Sequence, residues 1–421
     1  MNTGMSMREY VGKMTHARAG VQGIIVISSV ALILAIAWFV PVGHVTYPLG
    51  LVTSAVTDST SLASTTPEAV FVPTHIATPE AVKAVYMTAC IGGTPSLRTK
   101  MLTLFDGTEL NSLVLDLKDY TGTVSYRDTK VAVPPGGTGC RISDLPEFIQ
   151  ELHARGIYVI ARITVFQDPL YAAHNPTLAV QSLSNPSGIW KDKNKLAFID
   201  PGASEYWDYI VSIGKEAYEI GFDELNFDYI RFPSDGKLSD ASFSHSIGRQ
   251  KREVLREFFS YLDTAFASTT APLSADLFGL TTSAYDDLGI GQVLEDALPY
   301  FDYIAPMVYP SHYAKGFNGM ANPAEHPYEV IRSSMDHAVR RAVVASTTPL
   351  KLRPWLQDFN LGAVYTPAMV RAQMQATYDA GLTSWMLWNA ANRYQIDALA
   401  EKGVVDVRSV ETAFATTTPV Q

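Results

Sequence analysis

Polar residues able to do chemistry recur just after short apolar runs in this sequence of 421 residues. Asp116, Lys118 and Asp119 close the run 112–117, and Arg162 lies near the end of 157–163. Asn226, Asp228 and Arg231 crowd the stretch 221–233, and Asp276 falls within 272–278. Tyr309, Ser311 and His312 follow 303–308, Gln357 and Asp358 stand at the end of 352–357, and Trp388, Asn389 and Asn392 stand at or just after the end of 384–388. One carboxyl can donate a proton while another attacks or acts as base, aromatic faces can cover the apolar sides of sugar rings, and amides can bind hydroxyls. The expected chemistry is acid and base work on a sugar, with Asp228 as nucleophile or base and Asp276 as acid. Asp116, Lys118, Asp119, Arg162, Asn226, Arg231, Tyr309, Gln357, Asp358 and Trp388 are the expected substrate-binding residues.

Positioning these groups requires an element that repeats. From Val82 to Gly403, short apolar runs alternate with amphipathic segments, which predicts eight strands and eight helices, the last helix over 394–401. That pattern and size predict an α/β fold, a single (β/α)8 TIM barrel, whose active groups gather where strands end. An open doubly wound sheet is the competing architecture. The turn Ile91-Gly92-Gly93-Thr94 lacks the G-x-G-x-x-G pattern that such a sheet often carries after its first strand. The long fourth-to-fifth connection is expected to carry an apolar stripe through Ile247, Val254, Leu255, Phe258, Phe259, Leu262 and Phe266.

Composition is that of a globular chain, with hydrophobic residues at 47% and charged residues at 18%. A formal net charge of -10 argues against nucleic acid as partner and suits a neutral polysaccharide or oligosaccharide. Residues 21–40 carry no charge, which is long enough for a helix of about 20 residues to cross a bilayer. Arg8, Lys13 and Arg18 precede them and predict a cytoplasmic segment 1–20, a transmembrane anchor 21–40 in a single-pass cell-membrane protein, and an extracytoplasmic remainder. A cleaved signal peptide is the rival reading. Residues 41–81 read as a flexible linker rich in Ser, Thr and Pro, 82–403 as the barrel, and 404–421 as a tail. Cys90 and Cys140 either form one disulfide in an oxidising compartment or remain separate thiols.

Other chemistries have less support. The nine histidines include no H-x-H or H-E-x-x-H, so no metal or other cofactor is expected. No Ser or Cys occupies a G-x-S-x-G turn. The segments 82–88, 108–119 and 227–233, the last reading Phe-Asp-Tyr-Ile-Arg-Phe-Pro, resemble a family of largely uncharacterised bacterial proteins described as glycoside hydrolases. The resemblance covers nearly all of 82–403 and implies a TIM barrel, often behind a signal or anchor. More distantly, residues 221–228 are similar to the fourth strand of the α-amylase clan, with Asn226 where that clan has Arg. That likeness implies Asp228 as nucleophile and puts Asp276 in the place of the acid, normally Glu. A catalytically silent barrel that binds cell-wall glycan is the alternative, and a deacetylase-like hydrolase, which chelation would silence, is a third.

Overall fold

The structure, a computed structural model, describes residues 73–186 and 188–403. The expected anchor 21–40, the segment 1–20, most of the linker 41–81 and the tail 404–421 lie outside them. Among the described residues no helix is long and apolar enough to cross a membrane.

Eight strands close a parallel barrel: β1 (Lys83–Met87), β2 (Ser112–Lys118), β3 (Tyr158–Thr164), β4 (Glu224–Asp228), β5 (Leu273–Phe278), β6 (Tyr303–Met307), β7 (Trp355–Gln357) and β8 (Trp385–Trp388). Each pairs with its neighbours in sequence, and β8 closes onto β1. Every residue of β2 and β3 is buried, because one face of each strand lines the barrel interior and the other meets helices. Val82, Ala84, Val114, Ile160, Ala305, Trp355 and Met386 pack together inside. A larger apolar layer, including Leu113, Leu115, Phe227 and Leu277, joins the barrel wall to its helices.

The principal helices are α1 (Pro95–Leu102), α2 (Leu145–Ala154), α3 (Ser204–Glu219), α4 (Lys251–Phe266), α5 (Leu294–Ala297), α6 (Pro327–Val344) and α7 (Pro367–Asp379). In the eighth position stands a single 3-10 turn, Ile396–Ala398, where the sequence predicts a helix over 394–401. Val254, Leu255, Phe258, Phe259, Leu262 and Phe266 form the expected stripe of α4. Ile247 does not join it: it precedes the helix and is 80% exposed. The loops after β3 and β4 also pair briefly, Gln181–Ser182 against Ala241–Ser242.

α3 delivers the chain into β4 through Gly221, whose φ of +112° is a conformation that L side chains rarely adopt. Beneath the barrel, residues 73–81 depart from the expected linker by packing on the strand beginnings. The Ile76 amide donates to Asp223 at 2.7 Å, His153 bonds the other Asp223 oxygen at 2.9 Å, and His75 stacks on Tyr218. Within this Pro-containing stretch a backbone amide and the His75 ring supply the contacts, which composition alone does not distinguish from solvated linker.

Low in the barrel, Glu224 and Arg353 form a buried ion pair at 2.8 Å, with the Tyr158 hydroxyl donating to the same carboxylate. Cys90 and Cys140 are joined as a disulfide, Cα atoms 4.9 Å apart, tying the turn after β1 to the segment before α2. Closing a loop with a sequence separation of 50 stabilises the chain by about 4 kcal/mol in the chain-entropy account.

Candidate active site

Side chains that alternate inward along the strands form a charged layer at the carboxyl-terminal end of the barrel. β3 contributes Arg162, whose register partners are Asp116 on β2 and Asn226 on β4. Its Nη1 donates to Asp116 Oδ1 at 2.7 Å, and its Nη2 donates to Asp228 Oδ2. The Tyr86 hydroxyl from β1 donates to the other oxygen of Asp116. One guanidinium therefore bridges two carboxylates, and all three residues are buried. Burial alone pulls the Arg162 pKa down, but Asp228 and Asp116 outweigh it and hold the value well above the usual one. Burial raises the Asp116 pKa despite Arg162 and Tyr86.

Asp228 also accepts from the Tyr229 amide at 2.6 Å. Tyr229 has φ of +54°, a left-handed conformation that is costly for a bulky side chain. The backbone around it is pinned, since Val165 and Phe166 donate to the carbonyls of Asp228 and Tyr229. This turn redirects the chain immediately after Asp228.

Asp276 on β5 sits in a different environment. Its Oδ1 accepts from Asn226 Nδ2 at 2.9 Å and from Trp355 Nε1 at 2.8 Å, both neutral donors. Burial, followed by the Asp228 charge, pushes its pKa well above the usual carboxylate value, opposed by Arg162 and by those two donors. Burial and the Asp228 charge thus favour the protonated form of Asp276, whose Oδ2 is left to carry the proton, where Asp228 meets a cation. Asn226, which also donates to Ser274 at 3.1 Å, leaves its own Oδ1 buried without a partner.

Aromatic rings wall this layer. Trp388 stacks on Tyr86 with centroids 4.0 Å apart and meets Trp355 edge-on at 5.5 Å. The Arg162 guanidinium lies 5.0 Å from the Trp388 ring. Tyr309 meets His312 and Phe359 edge-on. Burial and the charges of Asp276 and Asp228 raise the Tyr309 pKa, so its ring shares their space.

Asp116, Arg162, Asn226, Asp228, Asp276, Tyr309 and Trp388 are brought together here. Four expected binding residues have other occupations. Lys118 is fully buried, bonded to Asp168 at 2.9 Å and to the Thr164 carbonyl at 2.7 Å. A register shift between Asp116 and Lys118 aligns Lys118 with Ile163, whose side chain belongs to the layer outside the barrel. Asp119 organises its own loop, accepting from the amides of Thr121 and Thr123. Gln357 accepts from the Ser311 amide and donates to the Phe359 carbonyl, tying the loops after β6 and β7. Asp358 accepts from the backbone and side chain of Gln395, and burial raises its pKa. Arg231, the remaining expected binder, lies at the mouth of the layer but pairs with neither Asp228 nor Asp276.

Tyr86 and Trp355 were not foreseen from the sequence, although both follow from inward alternation: each lies two positions from a residue on the same face of its strand. Among the described residues no group of three or more His, Cys, Asp or Glu is placed to hold a metal ion. A cavity of about 1190 Å³ opens beside the strand beginnings, at the opposite end of the barrel. Its central carboxylate, Glu109, is already taken by Lys83 at 2.7 Å and by Arg371, and barrel chemistry belongs at the other end.

Residues 84–394 match a family model described as "putative glycosyl hydrolase domain". No curated protein sequence matches the chain. Among solved structures, a hypothetical protein from Ruminiclostridium thermocellum ATCC 27405 is 31% identical over 49% of this chain and 98% of its own, with a TM-score of 0.40. The PgaB (BpsB) glycoside hydrolase domain from Bordetella bronchiseptica is 16% identical over 74% of this chain and 95% of its own, with a TM-score of 0.53. The catalytic domain of a β-amylase from Paenibacillus polymyxa is 9% identical over 77% and 95%, with a TM-score of 0.50. At these low identities, the last two likenesses show the barrel fold alone.

Proposed function

We propose, since the chain belongs to the family described as "putative glycosyl hydrolase domain", that it cleaves glycosidic bonds of an envelope or extracellular polysaccharide through Asp228 and Asp276. The observation that carries this reading is the contrast between the two carboxyls. Asp228 is held by a guanidinium and a backbone amide, while Asp276 meets only neutral donors, and burial with the Asp228 charge raises its pKa well above the usual carboxylate value and favours its protonated form. Asp276 gives its proton to the glycosidic oxygen as the bond to the anomeric carbon breaks. Asp228 either bonds to that carbon, for water to release later, or takes the proton of the water that attacks it. Trp388 and Tyr309 offer ring faces and edges to the sugar, and Asp116 acts through Arg162 by sharing its charge.

Asp276→Asn tests the acid. Asparagine keeps an oxygen for Asn226 and Trp355 but has no proton to give, so kcat falls by roughly 10²- to 10⁴-fold. In the native protein, activity declines as pH rises through the raised Asp276 pKa, and the variant lacks that basic limb. The stability sign follows from linkage. A raised folded pKa gives a contribution fully present below the unfolded value of about 3.9 and lost as pH rises through the folded value. Denaturation of Asp276→Asn should therefore show its stability relative to native improving with pH across that window. A native-like rate with an unchanged basic limb would remove Asp276 from the mechanism. Glycan binding without turnover by the native protein would favour the silent-barrel alternative.

The same proposal places the barrel outside the cytoplasmic membrane, tethered through 21–40. The uncharged run supports it, and so does the Cys90–Cys140 disulfide, which suits an oxidising compartment. A maleimide added to cells lysed under denaturing, non-reducing conditions should label neither cysteine until a reductant is added. Full labelling before reduction would count against that location.

A further inference from the structure

Four arginines are buried among the described residues: Arg162, Arg231, Arg341 and Arg353. Arg162 pairs with Asp116 and Asp228, Arg341 with Glu295, and Arg353 with Glu224. Arg231 forms no ion pair. Its one hydrogen bond within the protein runs from Nη1 to the Phe232 carbonyl at 3.0 Å. The Nε–Nη2 edge, the side of a guanidinium that grips two oxygens at once, is unspent. Arg162 Nε and Arg353 Nε are sealed from solvent without a partner, but neither Nε nor Nη2 of Arg231 is, so that edge still reaches water.

Rings hold the guanidinium in place. Its carbon lies 4.9 Å from the Tyr229 ring centroid, 4.9 Å from Phe278 and 5.6 Å from Phe198. Tyr229 follows Asp228, and Phe278 ends the strand that carries Asp276, so this box stands between the ends of β4 and β5. The nearby acids are already engaged: Asp192 accepts from the amides of Asn194 and Leu196 at 2.8 Å, and Asp235 pairs with Lys193 at 3.1 Å. Burying a cation with no carboxylate bonded to it is costly, and burial lowers the pKa of this one although Tyr229, Asp228, Asp235 and Asp192 act against that from a distance. An oriented, ring-clamped cation beside the reacting carboxyls is suited to an anion that arrives with the substrate.

We propose that Arg231 is a specificity residue that binds the carboxylate of an acidic sugar, so that the glycan this site takes carries uronic acid units. The inference rests on the glycoside hydrolase reading for the word substrate, but not for the binding itself. It replaces the neutral partner that net charge suggests with an acidic one, because the local cation and not the overall charge of -10 selects the ligand.

Binding is read with the full chain carrying Asp228→Asn, so that turnover does not intervene. The probes are oligosaccharides of hyaluronan, alginate and polygalacturonate, each beside the same oligosaccharide with its carboxyls reduced to primary alcohols. At least one acidic probe should bind about 10- to 100-fold more tightly than its reduced counterpart, as loss of a charged hydrogen-bonded contact implies. Adding Arg231→Met, which fills the box without charge, should bring that ratio close to one while the thermal midpoint is kept. Arg231→Lys should retain only part of the preference, because an ammonium lacks the fork. Equal binding of acidic and reduced probes, a preference that survives Arg231→Met, or no binding of any acidic probe would each overturn the proposal. Cleavage of a neutral glycan by the native chain would leave the hydrolase reading standing in those cases. Carboxylate-dependent binding with no cleavage of any probe would instead retain the Arg231 site and remove the hydrolase.

Discussion

Asp228→Asn should lower glycan cleavage by roughly 10³-fold or more while leaving a folded barrel. Asparagine matches aspartate in size and still offers an oxygen to the Tyr229 amide, but it has neither the charge to attack an anomeric carbon nor the basicity to activate water. Arg162 then keeps Asp116 as its one carboxylate partner. Loss of a charged hydrogen bond of this kind costs about 1.5–3 kcal/mol, which a domain of this size survives. A second effect follows from the Asp228 charge, which raises the Asp276 pKa. Removing that charge lowers the pKa of the acid, so any residual activity should decline with alkali at a lower pH than in the native protein. Steady-state rates across pH, with thermal unfolding as a control for folding, measure both effects. A variant within about tenfold of native would exclude Asp228 as nucleophile or base and leave Asp116 as the carboxylate to examine next.

The barrel was readable because its strands are apolar on both faces and its punctuation is regular. Gly156, Gly221 and Gly381 each follow a helix and precede a strand, with positive φ at all three. The cluster was readable from position, since Asp116, Arg162, Asp228 and Asp276 all fall near strand ends. What a linear sequence does not reveal is which side each end residue takes. The irregularity between Asp116 and Lys118 turns Lys118 away from the interior, where strict alternation would have kept it. Asn226 illustrates a second gap. The distant family pattern has Arg on the fourth strand, and its loss implies a nucleophile without a cation. Here the cation stands across the register on β3, where Arg162 faces Asn226 and reaches Asp228. Register between strands dozens of residues apart cannot be read from either strand alone. For the same reason Asp228 is paired with Arg162 and not with Arg231, three residues away in sequence and therefore the obvious candidate.

Because Arg162 serves both stability and chemistry, Arg162→Met should be the most damaging single change to the fold at this site. Methionine fills much of the space among Tyr86, Trp388 and the strand wall, so the effect isolates charge more than volume. With the guanidinium gone, Asp116 and Asp228 stay buried close to Asp276 with no cation among them. Breaking a buried ionic group in this way costs about 3–5 kcal/mol. Arg162 lowers the pKa values of both Asp116 and Asp276, which burial already raises, so both should rise further in the variant. Groups with raised folded pKa values add stability below the unfolded value of about 3.9 and lose it as pH rises through the folded values. The stability gap between native and variant should therefore be small at an acidic pH close to the unfolded value of about 3.9 and wide at an alkaline pH above the folded values. Arg162→Lys restores a charge but not the two-armed bridge, and should recover part of the gap. Urea midpoints at the two pH values decide the matter: a loss below about 1 kcal/mol, or one that does not change with pH, would show that the bridge is not what keeps these carboxyls in the barrel. With the expected result, stability and catalysis depend on the same cation, since the guanidinium that makes buried carboxyls tolerable also bonds Asp228, the carboxylate placed to attack or to act as base.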